Sequence, residues 1–246
     1  MINKLTNIIV NGITIKTSGS SGAPKEIYQK PSKIVADAKN AIEVQSINEF
    51  SSIYTCLSLE RAGGLFAQSI PGLLASATID FDTFNPYKYV KVADKYTHTH
   101  LTPKQAKSVM STKGFKTLDL TGSTFMVGSE PVTYDIIEAF IERGAKVILI
   151  WGMTEIGPNA IMHIFNNIKE VQELKDINPP NSTPLGNIYN CEYMIDEENR
   201  LLVKGDISVF GDNWFNTKDQ VIEKDGILFY TGRDGTPVDF NKPRKG

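Results

Sequence analysis

Short apolar runs alternate with segments of helical periodicity through the first two thirds of the chain. In residues 31–45, Pro31 marks a helix start, and Ile34, Ala38 and Ile42 recur on one helical face. The other segments of this alternation are predicted helices at 102–112 and 133–144 and predicted buried strands at 52–59, 117–120 and 146–150. Regular alternation of strand and helix favours a sheet covered by helices, which is an α/β fold.

After about residue 180 the pattern changes to that of β-hairpins. Residues 191–205 and 220–232 each place a polar turn between two segments of alternating apolar residues. The stretch 177–187, rich in Pro, Asn, Ser and Thr, lies between the two patterns and is typical of a linker or loop. We therefore predict an α/β nucleotide- and acyl-binding core at 1–180 and a β-rich subdomain at 181–246.

The charge balance and the distribution of apolar residues exclude several classes of partner. A net charge of −2 provides no basic excess for a nucleic-acid partner. No segment approaches the roughly 18 apolar residues of a membrane span, which predicts no membrane partner and a cytoplasmic location. Cys56 and Cys191 lie in apolar or strand-like settings and are predicted to be buried thiols. His98 and His100 lack a nearby third ligand, so we expect a structural or exposed pair and no metal.

The segment TSGSSGAPK, Thr17 to Lys25, follows an apolar alternation at residues 13–15. Its glycines let backbone N–H groups approach an anion, its hydroxyls add donors and Lys25 adds a positive charge, so the composition indicates phosphate binding. The spacing differs from that of a P-loop NTPase and from that of a dinucleotide-binding G-x-G-x-x-G turn. Taken alone, the loop is equally typical of a plain surface turn.

A second informative segment, WGMTEIGP, follows the predicted strand at 146–150 directly. Ligand sites of α/β sheets gather at the carboxyl ends of strands. There Trp151 is suited to stacking on a purine, Thr154 to bonding a phosphate oxygen and Glu155 to holding Mg²⁺. The alternative is a strand-end aromatic residue followed by a solvated Thr-Glu pair.

These segments, in this order, resemble the adenylate-forming enzymes, the AMP-binding superfamily of acyl-CoA synthetases, luciferases and peptide-synthetase adenylation domains. Thr17 to Lys25 is similar to the Ser/Thr/Gly-rich phosphate loop of that family, and WGMTE to its aromatic-G-x-T-E motif. The other matching segments are GSEP at 128–131, LSLERAGGL at 57–65, STPLGN at 182–187, NRLLVKGDISVFGDNW at 199–214, WFNTKD at 214–219 and FYTGRDG at 229–235.

The resemblance implies a fold and a set of site residues. The fold is the core of the large N-terminal domain of the family, with mixed sheets flanked by helices and followed by a small β-rich subdomain. The implied catalytic residues are Lys25, Thr154 and Glu155, with Glu155 as the metal ligand. The implied nucleotide-binding residues are Thr17, Ser18, Gly19, Ser20, Ser21, Gly22, Gly128, Ser129, Glu130, Trp151, Gly152, Asp219 and Arg233. The implied acid pocket contains Arg61, Gly63, Gly64 and Met153.

The resemblance also implies an activity, namely ATP-dependent adenylation of a small-molecule carboxylic acid with Mg²⁺. The products are acyl-AMP and pyrophosphate, and the acyl acceptor remains open among coenzyme A, a carrier protein and an amine. Asp219 can accept hydrogen bonds from both ribose hydroxyls, and Arg233 can reinforce them. Arg61 is open to two interpretations, a partner for a second substrate carboxylate or an ordinary surface residue.

The sequence also departs from the family pattern. Only about 16 residues precede the phosphate loop and 13 follow Arg233, whereas family members carry an N-terminal subdomain and a lysine-bearing C-terminal lid. Lys218 stands where the family's T-G-D motif has glycine. We therefore expect a minimal, truncated member without the lid. The alternative is a binding module that does no chemistry alone or one half of a split enzyme completed by a partner protein, and a homodimer is a further expectation.

Overall fold

The computed structural model describes residues 1–17 and 25–234 together with the backbone of residues 236–237. Its helices are α1 (Ile2–Asn11), α2 (Pro31–Gln45), α3 (Ala62–Gly64), α4 (Ile70–Leu74), α5 (Pro86–Val92), α6 (Pro103–Met110), α7 (Tyr134–Ile141) and α8 (Ile168–Ile177). A π-helical turn, Leu65–Ser69, joins α3 to α4, and 3₁₀ turns lie at Ala93–Lys95 and Lys113–Thr117. The strands are β1 (Ile13–Thr17), β2 (Lys25–Gln29), β3 (Ser52–Thr55), β4 (Thr78–Phe81), β5 (His98–Leu101), β6 (Thr124–Gly128), β7 (Lys146–Met153), β8 (Gly157–Phe165), β9 (Thr183–Gly186), β10 (Ile188–Tyr189), β11 (Glu192–Ile195), β12 (Arg200–Lys204), β13 (Phe215–Lys224), β14 (Ile227–Arg233) and β15 (Thr236–Pro237).

A seven-stranded mixed sheet, in the order β10-β8-β7-β6-β5-β3-β4, forms the centre of the α/β part. Strands β4, β3, β5, β6 and β7 run parallel, β8 pairs antiparallel with β7, and β10 pairs antiparallel with β8 at the edge. Because parallel strands end at the same edge of a sheet, the segments that follow Thr55, Leu101, Gly128 and Met153 are gathered along one edge. Three of these segments carry predicted site residues.

Helices cover both faces of this sheet. On one face, α5 to α8 pack against strand residues such as Phe125, Val127 and Val147 in one large apolar cluster. On the other face, α1, α2 and the π-helical turn supply Leu5, Ile34 and Phe66 to a second cluster. Side chains of successive strand residues point to opposite faces of the sheet, and both faces are covered. Strands β6 and β7 are therefore apolar along most of their length.

A six-stranded sheet makes up the β-rich part. Strands β11, β12, β13 and β14 are antiparallel neighbours, and both β9 and β15 pair with β14. Asp225 and Gly226 form the tight turn between β13 and β14, both with positive φ. The short strand β10, by contrast, belongs to the seven-stranded sheet. The division at residue 180 remains a prediction.

Most predicted elements are confirmed, and one strand is wrong. Helix α2 spans the predicted residues 31–45, and Thr102 caps α6 in a reciprocal capping box with Gln105. Both predicted hairpins are present. Residues 117–120, however, are no strand. Their apolar side chains are buried in a connection in which Asp119 accepts a hydrogen bond from the Thr121 N–H, and the strand of this region is β6.

The structure also refines three smaller expectations. The first predicted strand is shorter than its apolar run, ending at Thr55. His98 and His100 are both buried in β5, so the exposed alternative for this pair is wrong. Cys56 is buried and Cys191 half-buried, both as free thiols.

None of the helices in the described ranges has the length and apolar character needed to cross a membrane.

Candidate active site

Strands β1 and β2 form an antiparallel hairpin that carries the predicted phosphate loop. Thr17 and Lys25 are register partners at the loop end of this hairpin, where Lys25 is exposed. The Thr17 Oγ1 donates a hydrogen bond of 3.5 Å to the Lys25 carbonyl. The residues between them that were predicted to bind phosphate lie outside the described residues: Ser18, Gly19, Ser20, Ser21 and Gly22.

Gln29 joins this hairpin to the end of β7. Its side chain is fully buried, and Nε2 donates a hydrogen bond of 2.9 Å to the carbonyl oxygen of Thr154. The two segments are 125 positions apart in sequence. The hydrogen bond therefore fixes the base of the predicted phosphate loop relative to the turn that carries Thr154 and Glu155. Nothing in the sequence singled out Gln29.

The turn from β7 to β8 depends on two glycines. A β-bulge lies between Trp151 and Met153, opposite Gly157. A Cβ atom on Gly152 would lie 1.9 Å from the Gly157 carbonyl oxygen, so no larger residue fits without backbone movement. Beyond the bulge, the Glu155 carbonyl accepts a hydrogen bond of 2.8 Å from the N–H of Val209, a residue of the β-rich part.

Asp219 and Arg233 face each other across the β13–β14 ladder. Arg233 Nη1 lies 3.6 Å from Asp219 Oδ1, and its Nη2 donates a hydrogen bond of 3.2 Å to the Thr217 carbonyl. The Thr217 hydroxyl in turn accepts from the Asp219 N–H at 3.1 Å. Asp219 is 5% exposed, so its carboxylate is held in place within a largely desolvated setting.

Lys218 takes the conformation that the glycine of the family motif favours. Its φ of +65° lies in the left-handed region, which costs a non-glycine residue about 1 kcal/mol. The side chain points to solvent, with Nζ 3.3 Å from Asp234 Oδ2. The backbone turn before Asp219 is thus retained despite the substitution, at some cost in backbone strain.

Trp151 connects the two halves of the site. Its indole Nε1 donates a hydrogen bond of 3.1 Å to Asp219 Oδ2, across 68 positions of sequence. The tryptophan ring is half-buried at the end of β7. From the sequence we expected this ring to stack on a purine, and its link to Asp219 was not anticipated. Since Trp151 and Arg233 contact different oxygens, the carboxylate is oriented from both sides.

The predicted adenine and acid-pocket segments also meet at this edge. Gly128 ends β6, and Ser129 and Glu130 follow it as exposed residues, with Ser129 at φ +79°. A Cβ atom on Gly63 would lie 3.6 Å from Ser129 Oγ, which brings the two segments into contact. The other residues predicted for the acid pocket have different settings. Gly64 packs against the Ser58 carbonyl, Met153 packs against a buried apolar cluster that includes Ile156, and the Arg61 side chain is exposed.

A buried polar cluster lies beneath the β7–β8 turn. Asp37 of α2 accepts a hydrogen bond of 3.2 Å from Asn159 Nδ2, which also donates to the Phe66 carbonyl at 3.0 Å. Burial raises the pKa of Asp37 to about 6 and lowers the pKa of its neighbour Lys33. The i, i+4 spacing of a lysine and an aspartate on the apolar face of a predicted helix is the one sequence signal that could have revealed this cluster.

The metal-binding potential of the site rests on Glu155. In the described ranges, no three His, Cys, Asp or Glu side chains gather as they do in a protein-built metal site. Magnesium bound with a nucleotide takes most of its oxygen ligands from phosphates and water, so one carboxylate suffices. The half-buried Glu155 side chain makes no hydrogen bond or ion pair within the described residues and suits that role.

A cleft of about 1040 Å³ lies away from these residues. It opens between α2 and the β-rich part and is lined by Lys39, Asn40 and Glu192 among others. None of the predicted site residues lines it. The site is therefore defined by the hydrogen bonds between its motifs and not by this cleft.

Comparison with known proteins supports the resemblance. The family model described as "AMP-binding enzyme" matches residues 14–217. The chain belongs to the AMP-binding enzyme family. Among curated proteins, the indoleacetate–CoA ligase of Aromatoleum aromaticum (strain DSM 19018 / LMG 30748 / EbN1) is 29% identical over 149 residues, a match that covers 58% of this chain and 29% of that protein.

Solved structures of the family share the fold. The N-terminal domain of FACL13 from Mycobacterium tuberculosis superposes with a TM-score of 0.74 at 16% identity, covering 89% of this chain and 60% of that one. Apo MatB from Rhodopseudomonas palustris gives a TM-score of 0.73 at 17% identity, covering 90% and 48%. The predicted fold class is confirmed, namely mixed sheets flanked by helices as in the N-terminal domain of adenylate-forming enzymes. The chain spans less than two thirds of the length of each of these relatives.

Proposed function

We propose that this member of the family binds Mg·ATP and a carboxylic acid and joins them into an acyl-adenylate with release of pyrophosphate. The observation that carries the proposal is the hydrogen bond from Trp151 to Asp219. It connects the aromatic-G-x-T-E motif to the ribose-binding motif, while Gln29 connects the former to the phosphate-loop hairpin. Three motifs that are separate in sequence are thereby organised around one space.

In this proposal, Asp219 binds the ribose. A carboxylate has about four acceptor positions, so Asp219 can accept from Trp151 and still accept hydroxyl protons. Arg233 pairs with the carboxylate from the other side. The exposed Ser129 and Glu130 lie beside the adenine, and the indole of Trp151 offers its face to the base.

The chemical step is an in-line displacement at phosphorus. A substrate carboxylate oxygen forms a bond to the α-phosphorus of ATP as the bond from that phosphorus to the bridging oxygen of pyrophosphate breaks. Lys25 and Thr154 bind phosphate oxygens, and the preorganised charges stabilise the transition state. When bound, Mg²⁺ supplies further charge neutralisation on the phosphates, and Glu155 is the residue that holds it.

Calorimetric titration with Mg·ATP and with Mg·AMP tests the nucleotide site directly. We expect wild-type protein to bind both, and the Asp219→Ala variant to lose at least tenfold in affinity because it lacks the ribose acceptor. Glu223→Ala is the matched control, since it removes an exposed carboxylate from the same strand. Equal affinity of Asp219→Ala and wild type would contradict the assigned role.

Acid-dependent exchange of labelled pyrophosphate into ATP tests the reaction. We expect exchange with the wild type and a loss of 10²-fold or more in Glu155→Gln, because the variant removes the charge that holds the metal. Glu142→Gln, which neutralises an exposed carboxylate at the end of α7, is the control. Undiminished exchange in Glu155→Gln would refute its role as metal ligand.

The proposal extends to the acid, to the acyl acceptor and to one alternative function. The name of the curated relative gives indoleacetate and coenzyme A as its substrates. We therefore propose that this chain adenylates an aryl-substituted acid and uses coenzyme A as the acyl acceptor. A binding module without chemistry, completed by a partner protein, is the second candidate. Multiple turnovers of acyl-AMP by the purified chain exclude it, whereas nucleotide binding without turnover supports it.

A further inference from the structure

The His100 side chain has a buried nitrogen that forms no hydrogen bond to a described residue. It lies at the edge of the sheet where the site residues gather. The residue lies in β5, between Thr55 of β3 and Met126 of β6, and is 2% exposed. Its Nε2 is buried without a hydrogen-bond partner among the described residues. Burial lowers the pKa of His100 to about 3, so the ring is neutral and carries one donor and one acceptor nitrogen.

His98, two residues earlier on the same strand, provides the contrast. Its Nδ1 is 2.8 Å from Thr97 Oγ1, and its Nε2 is 3.0 Å from the Gln45 carbonyl. Both nitrogens of His98 are thus satisfied within the fold. Since buried polar groups in folded proteins are normally hydrogen-bonded, the unsatisfied Nε2 of His100 calls for an explanation that the fold does not provide.

Gly63 lies beside this histidine. A Cβ atom on Gly63 would lie 3.9 Å from His100 Cε1 and 3.6 Å from Ser129 Oγ, at ordinary contact distance. Gly63 is half-exposed, and no positive φ requires glycine there. Its neighbour Gly64 differs, because a Cβ atom there would lie 2.1 Å from the Ser58 carbonyl. The missing side chain at position 63 therefore serves no packing or backbone need, and it leaves the His100 ring next to a half-exposed position.

The backbone around this position is also unusual. The π-helical turn at residues 65–69 follows Gly63 and Gly64 directly. Such single π-helical turns are frequently found at functional sites. Gly63 lies in α3, in the segment after β3, whereas His100 lies near the end of β5 and Ser129 directly after β6. Sites at the carboxyl edge of a parallel sheet are built from such segments.

We propose that His100 Nε2 binds a hydroxyl group at the far end of the carboxylic acid, so that the substrate is a hydroxylated aryl acid. This inference rests on the proposed function and on the acid pocket that the family resemblance implies, which contains Gly63. A hydroxyl can donate to or accept from an imidazole nitrogen, so it fits either tautomer of the neutral ring. Ser129, whose Oγ lies on the same side of Gly63, is exposed and leaves the entrance polar.

Paired probes test the inference by calorimetry in the presence of Mg·AMP: phenylacetate and its 2-, 3- and 4-hydroxy derivatives. We expect at least one hydroxylated probe to bind wild-type protein tenfold or more tightly than phenylacetate, because unpaired buried polar groups discriminate strongly. The ratio should fall to about 1 in His100→Phe, which keeps the ring volume without nitrogen. His100→Gln, whose amide restores a hydrogen-bonding group, should recover part of the ratio.

Gly63→Val provides an independent test if His100→Phe fails to fold. The added side chain fills the space beside His100 and should abolish the preference for the hydroxylated probe. In the wild type, the ¹⁵N resonance of His100 Nε2 should shift on adding that probe. An equal ratio in wild type and His100→Phe, or no hydroxyl preference in the wild type, overturns the inference. Failure of all four probes to bind also overturns it, and the Mg·ATP titration then shows whether the proposed nucleotide site fails too.

Discussion

Replacing Asp37 by asparagine should change how the stability of the fold depends on pH. Asp37 is fully buried on α2, and its carboxyl pKa is raised to about 6 from the ordinary 3.8. Burial raises this pKa more than Lys33 and the Asn159 amide lower it. Ionising Asp37 in the folded protein is therefore unfavourable, even though the neighbouring Lys33, whose own pKa burial lowers, offsets part of the cost.

The size of the effect follows from linkage. Between pH 3.8 and about 6, the folded chain retains a proton on Asp37 that the unfolded chain releases. The free energy of unfolding therefore decreases as the pH rises through this interval, and the Asp37 contribution is fully present only below it. At about 1.4 kcal/mol per pKa unit, the loss is on the order of 3 kcal/mol. Asparagine keeps the shape of the side chain and an acceptor oxygen for Asn159, but it does not ionise.

Urea unfolding of wild type and Asp37→Asn, followed by tryptophan fluorescence from about pH 4 to about pH 7.5, measures the contribution of Asp37 to the free energy of unfolding. We expect the variant to gain on the order of 3 kcal/mol relative to wild type over that range, since the contributions of groups that do not interact with Asp37 cancel in the difference. Asp94→Asn, at an exposed position, controls for the loss of one negative charge. A difference between Asp37→Asn and wild type that does not vary with pH would refute the reasoning.

Three further predictions concern the site. Gln29→Ala should destabilise the fold by about 1 kcal/mol through loss of the hydrogen bond to Thr154, measured by urea unfolding, and an unchanged midpoint would contradict it. Gly152→Ala should cost about 1–3 kcal/mol because its Cβ would meet the Gly157 carbonyl, whereas Gly63→Ala, which has room, should cost less than half as much. Trp151→Phe keeps an aromatic face but loses the bond to Asp219, so Mg·ATP affinity in calorimetry should fall about tenfold, and wild-type affinity would count against that bond.

The sequence was sufficient for features that depend on neighbouring residues. Pro31 at the start of α2, the Thr102 capping box and the Asp225-Gly226 turn are all local, because each is decided by backbone groups within a few positions. The family could also be predicted, since the order of its motifs survives in the linear chain. The predicted strand at 117–120 failed because a short apolar run indicates burial without deciding the backbone conformation.

Only the tertiary structure decided how the motifs meet. The bonds from Gln29 to Thr154 and from Trp151 to Asp219 join residues 125 and 68 positions apart, and no local pattern encodes such partners. The same holds for the burial of Asp37 and for the unsatisfied nitrogen of His100, because a side chain's desolvation depends on every element packed around it. The sequence by itself determined which residue types were available for nucleotide chemistry, and the packing of strands from distant parts of the chain determined which of them are held together.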